Sequence, residues 1–262
     1  MQDKKALLDK AARDQEERLL FSRLLDQAER CARRQTPTHS FFLSPGERSA
    51  AESLLRAAHA PRHIFAGGYG EAERTVCLFL PDWMEEAETE LPFMLLRGRF
   101  YAEEPPGHRD VLGSLMGLGL SREKLGDILI SEGFVDLIIL PEAADLLLMN
   151  WESAGRIRLK TELLPLSELV VPQKELRRIQ DTVAAPRLDA VLGVGFSLSR
   201  GKAAELIAAG RVQLNYRDCL KGDKPVGEGD TISCRGLGKC RVAELGGLSK
   251  KGRLRITVER YV

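Results

Sequence analysis

At 262 residues the chain is long enough for two modest domains, or for one plus a helical extension. Its 44% hydrophobic content with 29% charged residues fits a globular protein, and apolar stretches such as GFVDLIILP are far too short to span a membrane. The net charge of +1 hides an asymmetry: residues 187–262 hold fifteen Lys and Arg against eight Asp and Glu, and residues 1–186 hold 24 against 30. Such a split points to a polyanion as partner of the C-terminal part alone.

The N-terminus, MQDKKALLDKAARDQEERLL, is charged throughout and reads as neither a signal peptide nor an anchor. The first 34 residues read as helix, with Leu19, Leu20, Leu24, Leu25 and Ala28 near helical spacing. Thr36-Pro37-Thr38 ends that run. A second helix is predicted from Ser44 to about Ala58, because Ser44 and Glu47 make a capping box around Pro45 at the first helical position. IFAGGYGEAER then reads as a glycine-rich loop and TVCLFLP as a strand. From Glu90 the order is strand (LPFMLLRGRFYA), helix (RDVLGSLMGLGL), strands (KLGDILI and GFVDLIILP), helix (EAADLLLMNWESAG) and strand (RIRLKTEL).

That β-α-β-β-α-β order is the ferredoxin-like arrangement used by RNA-recognition motifs. Its third strand, FVDLIIL, lacks the exposed aromatics on which such motifs stack bases. Residues 165–186 read as a polar connector. The last 76 residues read as two helices (RLDAVLG, and Ser199 to Ala209) followed by strands near RVQLN, DTISCRG, KCRVAEL and RLRITVERYV. The expected class is α+β: a helical region over 1–60, an RNA-recognition-like domain over 61–165, a linker over 166–186 and a small strand-rich domain with a two-helix front over 187–262.

Within SRGKAAELIAAGRVQLNYR, Ser199 is a good N-cap, while Ala203, Leu206 and Ile207 make an apolar face for Leu188, Val191 and Leu192. Gly210 closes the helix and releases the chain into a strand at Val212. The charges are unusual. Arg200 and Lys202 stand in the first turn, where each exposed cation costs about 0.3–1 kcal/mol against the helix dipole. A phosphate docked there would reverse the sign, since free amides, dipole and side chains would converge on one anion. Arg187 opens the preceding helix. Arg211, Arg217, Lys221, Arg235 and Lys239 lie in the strands and loops beyond, and add to the candidate RNA contacts.

This stretch resembles the RNA-binding domain named after the fourth small-subunit ribosomal protein, the S4 (S-four) domain. The resemblance lies in Arg187-Leu188-Asp189, Ser199-Arg200 with Ala203, Gly210 with Val212 and Asn215, and Gly229-Asp230. It implies that Arg187, Ser199, Arg200, Lys202, Asn215 and Lys221 lie on or near a face that grips structured RNA, chiefly by phosphates. Tyr216 departs from the pattern, standing where small residues such as glycine are usual. FLSPGE, GGYGEAER, FLP and GHRDVLGSLMGLGLSREKLGDI resemble the bacterial YlmH family, whose members join a helical part and an RNA-recognition-like domain to an S4 domain. That resemblance implies ribosome association and a role in rescuing stalled large-subunit complexes that still hold peptidyl-tRNA.

Several stretches imitate catalysts. His108-Arg109-Asp110 copies a kinase triplet, but Leu115 replaces the metal-binding asparagine and no nucleotide loop accompanies it. Asp110 is expected to cap or border the following helix. AVLGVG reads as a turn between packed helices, because a dinucleotide site would need a parallel sheet behind it. GGYGEAER lacks the Lys-Ser/Thr of a phosphate loop and reads as a structural or interaction loop. Arg187-Leu188-Asp189 echoes the pseudouridine-synthase triplet, yet lies inside the S4 pattern, so Asp189 is expected to serve as an ion-pair or hydrogen-bond partner. The four histidines make no metal-spaced cluster, and five cysteines without a CxxC pair suit a reducing cytosol.

The expectation is therefore a non-enzymatic, cytoplasmic RNA-binding protein of the translation machinery, without cofactor, metal or membrane partner. Its expected partners are structured rRNA or tRNA and the ribosomal large subunit. The alternative is an RNA-modifying enzyme, of pseudouridine synthase or methyltransferase type, that uses the S4 domain to hold its substrate.

Overall fold

The computed structural model, which describes residues 4–86, 89–173 and 176–261, divides the N-terminal helical run in two. α1 spans Lys4–Ala11 and α2 spans Gln15–Arg34. The break comes at Asp14, whose extended backbone and carboxylate, accepting from the Glu17 amide at 2.8 Å, make an N-cap. α3, Pro45–Ala57, begins where its capping box predicts: the Glu47 amide donates to Ser44 Oγ, and the Ser44 amide donates to the Glu47 carboxylate at 2.6 Å.

β1 (Thr38–His39), β2 (His63–Ala66) and β3 (Val76–Phe79) form a small antiparallel sheet in the order β1-β3-β2. Strand alternation buries β3 on both faces. Cys77 and Phe79 pack under the helices with Phe21 and Leu55, while Val76 and Leu78 meet Phe42, Phe93 and Ile138. The helical part therefore extends beyond residue 60, where the sequence sets its end, because β2 and β3 complete its sheet.

The next elements follow the predicted order: β4 (Met94–Arg99), α4 (His108–Gly117), β5 (Leu125–Ser131), β6 (Phe134–Ile139) and α5 (Ala144–Asn150). A hairpin of β7 (Ser153–Ala154) and β8 (Ile157–Arg158) precedes β9 (Lys160–Leu164). The four-stranded sheet is antiparallel in the order β5-β6-β4-β9, which is the ferredoxin-like arrangement. Leu96, Val135, Leu137 and Ile139 point to one face and pack with Val111, Leu115, Leu147 and Trp151 of the α4 and α5 layer.

The opposite face is the one on which RNA-recognition motifs stack bases. Here it is closed. Ile138 lies against the small sheet, and Leu166 and Leu169 pack into the same cluster. Beside them Arg97 on β4 and Asp136 on β6 form a bidentate ion pair at 2.6 and 2.7 Å, with side-chain exposures of only 7% and 0%. The backbone roofs the pair: Arg97 donates to the Glu168 carbonyl at 2.8 Å, and the Val170 amide donates to Asp136 at 3.2 Å. The Phe134 ring lies 4.1 Å from the Arg97 guanidinium carbon.

GGYGEAER is a clasp. A Cβ on Gly67 would fall 2.4 Å from Ala72 Cβ, and Gly68 adopts φ +94°, so the loop closes tightly on itself. Asp127 of β5 holds it, accepting from Tyr69 Oη and the Glu73 amide at 2.7 Å and from the Arg74 amide at 3.0 Å. The Arg74 guanidinium donates to the carbonyls of Leu125, Phe42 and Arg122, tying the loop to the start of β5 and to the segments before α3 and β5. Asp110 accepts from the Gly107 amide at 3.3 Å, which places it at the start of α4 as a cap.

Residues Gln173–Val262 make a second compact unit after Met1–Pro172. β10 (Leu176–Val183) pairs antiparallel with β15 (Leu254–Tyr261) along its whole length. Between them in sequence lie α6 (Leu188–Phe196), α7 (Arg200–Ala208), β11 (Val212–Leu214), β12 (Arg217–Asp218), β13 (Thr231–Cys234) and β14 (Gly238–Leu248). The sheet order is β10-β15-β14-β13-β11-β12, and both helices pack with the face carrying Val212, Ile232, Val242 and Val258. The connector expected over 166–186 is thus not a linker throughout. Its first residues finish the core of the first unit and its last form an edge strand of the second. Only Val183 among the eight strand residues is buried, so no apolar run announces it.

Breaking the buried pair by Arg97→Met alone should lower stability by about 3–5 kcal/mol, since Asp136 is left charged and unpaired. The double variant Arg97→Met, Asp136→Leu should recover most of that loss in urea unfolding; a loss as large as the single variant's would contradict this account. A second prediction concerns His108, an exposed residue whose pKa is lowered from 6.5 by partial desolvation and then by Arg122, so the effect is small. A depressed folded-state pKa means stability present above pH 6.5 and lost as pH falls below it. His108→Gln should therefore narrow the difference in melting temperature between pH 7.5 and pH 5.5, about one unit either side of the free-histidine value.

Candidate nucleic-acid interface

α6 and α7 are joined by a tight turn in which Ser197 adopts φ 54° and its amide bonds back to α6 carbonyls. The turn folds the helices against each other, so Leu188, Val191 and Leu192 meet Ala203, Leu206 and Ile207, the apolar faces read from the sequence. Ser199 is the N-cap of α7: its Oγ accepts from the Lys202 amide at 3.2 Å. Gly210 leaves the helix at φ +66°.

This packing brings Asp189, in the first turn of α6, beside the start of α7. Arg187 donates to its two carboxylate oxygens at 3.3 and 3.2 Å, and Arg200 donates Nε at 3.0 Å. Asp189 is 7% exposed, whereas Arg187 and Arg200 are 39% and 66% exposed. Lys202 pairs with Glu205 one turn along α7 at 2.9 Å. The sequence leaves the two first-turn cations without counter-charges; the structure gives each one. Asp189 thus has the ion-pairing role expected of it.

The other candidate residues fall into separate groups. Asn215 and Tyr216 are the two central residues of the β11–β12 hairpin, both at positive φ (50° and 62°) as a type I′ turn requires. Asn215 tolerates that region better than an aromatic residue does. It also locks the hairpin, donating to Asp230 at 2.8 Å and accepting from the Thr231 amide at 2.9 Å. Arg211 donates to the Arg235 carbonyl at 2.7 Å. Arg217 on β12 and Lys221 in the following loop are exposed.

Lys239 precedes the buried Cys240 on β14, so strand alternation puts it on the sheet face away from the helices. Its ammonium lies 5.6 Å from the Tyr216 ring centre and 4.9 Å from that of Tyr261. Arg187, Ser199, Arg200 and Lys202 therefore form one group, and Lys239 belongs to another. Sequence reasoning missed Arg253, which donates to Thr182 Oγ1 at 3.1 Å and to the Thr182 carbonyl at 2.5 Å. The cationic run Lys250-Lys251 before it was the available signal, but its anchor lay in the supposed linker.

Three family models match the chain: "YlmH, N-terminal" over residues 16–80, "Putative RNA-binding domain in YlmH" over 104–168, and "S4 domain" over 186–232. A relative from Bacillus subtilis (strain 168), "Ribosome-associated protein quality control protein P2", is 34% identical over 221 residues, which are 84% of this chain and 85% of that protein. The chain belongs to the YlmH family. A solved structure, "Cell division protein ylmH from Streptococcus pneumoniae", has the same fold at 18% identity, with a TM-score of 0.51 over 61% of this chain and 97% of its own. The Ser199–Arg200 helix end lies inside the S4 match of this YlmH-family chain.

Asp189→Asn separates two accounts of that helix end. The change makes the domain more basic, so charge alone predicts tighter binding to structured RNA. If Asp189 instead sets the directions of Arg187 and Arg200, affinity should fall several-fold. The expected result by fluorescence anisotropy is the fall, with stability reduced by only about 1–2 kcal/mol because both arginines are part-exposed.

Proposed function

We propose that this protein is a non-catalytic, cytoplasmic component of the translation machinery that docks on structured rRNA or tRNA of the ribosomal large subunit and acts when translation stalls. The observation that carries the reading is the start of α7. There, a Ser199-capped helix end, with its orphan amides and positive dipole end, stands beside the exposed guanidiniums of Arg187 and Arg200. That arrangement suits an RNA phosphate, and phosphate contacts fix the register of a protein on a folded RNA. The printed name of the Bacillus subtilis relative supports the link to ribosome-associated quality control.

No helix among the described residues is long and apolar enough to cross a membrane. The aspartates of the two enzyme-like triplets have structural work, Asp189 in ion pairs and Asp110 at a helix start. Much of one face of the four-stranded sheet is covered by the chain's own residues, and the reading assigns the main grip to the C-terminal unit.

Pelleting with purified ribosomal subunits across a salt series tests this. Wild type should travel with the large subunit and lose affinity steeply as salt rises. Arg200→Gln with Lys202→Gln, checked for folding, should bind more weakly and flatten the log–log slope by about 1.5, close to the counterion release of two phosphate contacts. An unchanged slope would place the grip elsewhere, and co-sedimentation with the small subunit alone would overturn the choice of subunit.

A further inference from the structure

A cleft of about 520 Å³ opens between the end of β10, one face of α6 and the start of α7. Ala184, Ala185, Ala190, Gly193, Val194 and Leu198 give it an apolar, small-residue lining. Its charged groups are the guanidiniums of Arg187, Arg200 and Arg253 against the carboxylates of Asp181 and Asp189. The volume lies within the range of about 300–1,000 Å³ found for small-molecule sites.

The three arginines are held by residues of the cleft wall. Asp189 fixes Arg187 and Arg200, and Thr182 fixes Arg253 through two bonds. A guanidinium carries five N–H donors, so each arginine keeps donors beyond these bonds for an anion. A grip on backbone phosphates alone needs only such cations on an open surface. The small-residue lining is a different feature: it offers an apolar surface to something flat, next to the cations.

A nucleotide has that combination, an apolar base face joined to a phosphate. Inside a duplex the base is stacked and out of reach, whereas a bulged or looped nucleotide can be splayed into a pocket. We propose that the cleft receives one unpaired nucleotide of the bound RNA, its base against the alanine and glycine lining and its phosphates on Arg187, Arg200 and Arg253. The inference rests on the RNA-binding reading of the α7 end and names what that site selects. Part of the cleft lies outside the S4 match of residues 186–232: the wall from Asp181 to Ala185 comes from β10 and the turn after it, and Arg253 from the approach to β15.

The test uses the full chain and two fluorescein-labelled RNA stems, identical except that one carries a single bulged adenosine. Wild type should bind the bulged stem several-fold more tightly, because the base buries apolar surface against the aliphatic lining. Ala190→Leu fills the lining; Ala185→Leu does so from an exposed position that the fold does not depend on. Both should erase the preference while leaving affinity for the paired stem unchanged. Arg253→Gln should weaken the bulged stem more than the paired one. Equal wild-type binding of the two stems, or a preference that survives both leucine variants, overturns the cleft while the RNA-binding reading stands. Binding indifferent to Arg187→Gln with Arg200→Gln overturns that reading, and the cleft with it.

Discussion

The Arg97–Asp136 pair is the constraint around which the first unit is arranged. Removing two ions from water costs several kcal/mol each, and the cost is offset only when geometry is good and the remaining donors and acceptors are satisfied. Here the pair is bidentate, a carbonyl takes another Arg97 donor, an amide serves Asp136, and an aromatic ring lies beside the guanidinium. Those partners come from Glu168 and Val170, so the chain leaving the four-stranded sheet must cross back over it. The small N-terminal sheet covers the neighbouring apolar residues of the same face. Much of the sheet face that RNA-recognition motifs turn toward bases is thereby taken up by internal packing.

The charge distribution of the two units follows the same division. Residues 173–262 carry eighteen Lys and Arg against ten Asp and Glu, leaving 21 against 28 for residues 1–172. The unit whose sheet face is closed is acidic; the unit with an open helix end is basic. Within the basic unit Asp189 has a double effect. It relieves the repulsion between Arg200 and the helix dipole in the RNA-free protein, and it orients two guanidiniums before any ligand arrives. Preorganised donors lose less entropy on binding than free surface side chains do.

What was legible in the sequence was local. The capping box at Ser44, the N-cap at Ser199, the left-handed Gly210 and the β-α-β-β-α-β order are each written in a few adjacent residues, and each stands in the structure. What was not legible depended on residues far apart. Asp14 interrupts a run whose charges all suit a helix, and only its cap bond with Glu17 shows the break. The counter-charge of Arg200 sits eleven residues upstream and reaches it only because the helices fold together. GGYGEAER reads as a loop of unspecified purpose until Asp127, more than fifty residues on, supplies acceptors for Tyr69, Glu73 and Arg74.

The strand β10 shows why a motif match is smaller than the module that works. The S4 match covers residues 186–232, yet the sheet on which α6 and α7 pack runs from Leu176 to Tyr261. An edge strand with solvent on most of its side chains has no need of apolar alternation; pairing with β15 holds it, and backbone bonds leave no trace in composition. Its consequence is nevertheless chemical. β10 ends opposite Leu254, next to Arg253, and carries Thr182 to the position where both its hydroxyl and its carbonyl accept from that guanidinium. A residue absent from the motif is thus brought to the same cleft as Arg187 and Arg200, which lie within it. In the proposed reading the recognised helix pair holds the RNA, and the unrecognised strand shapes the surface beside it.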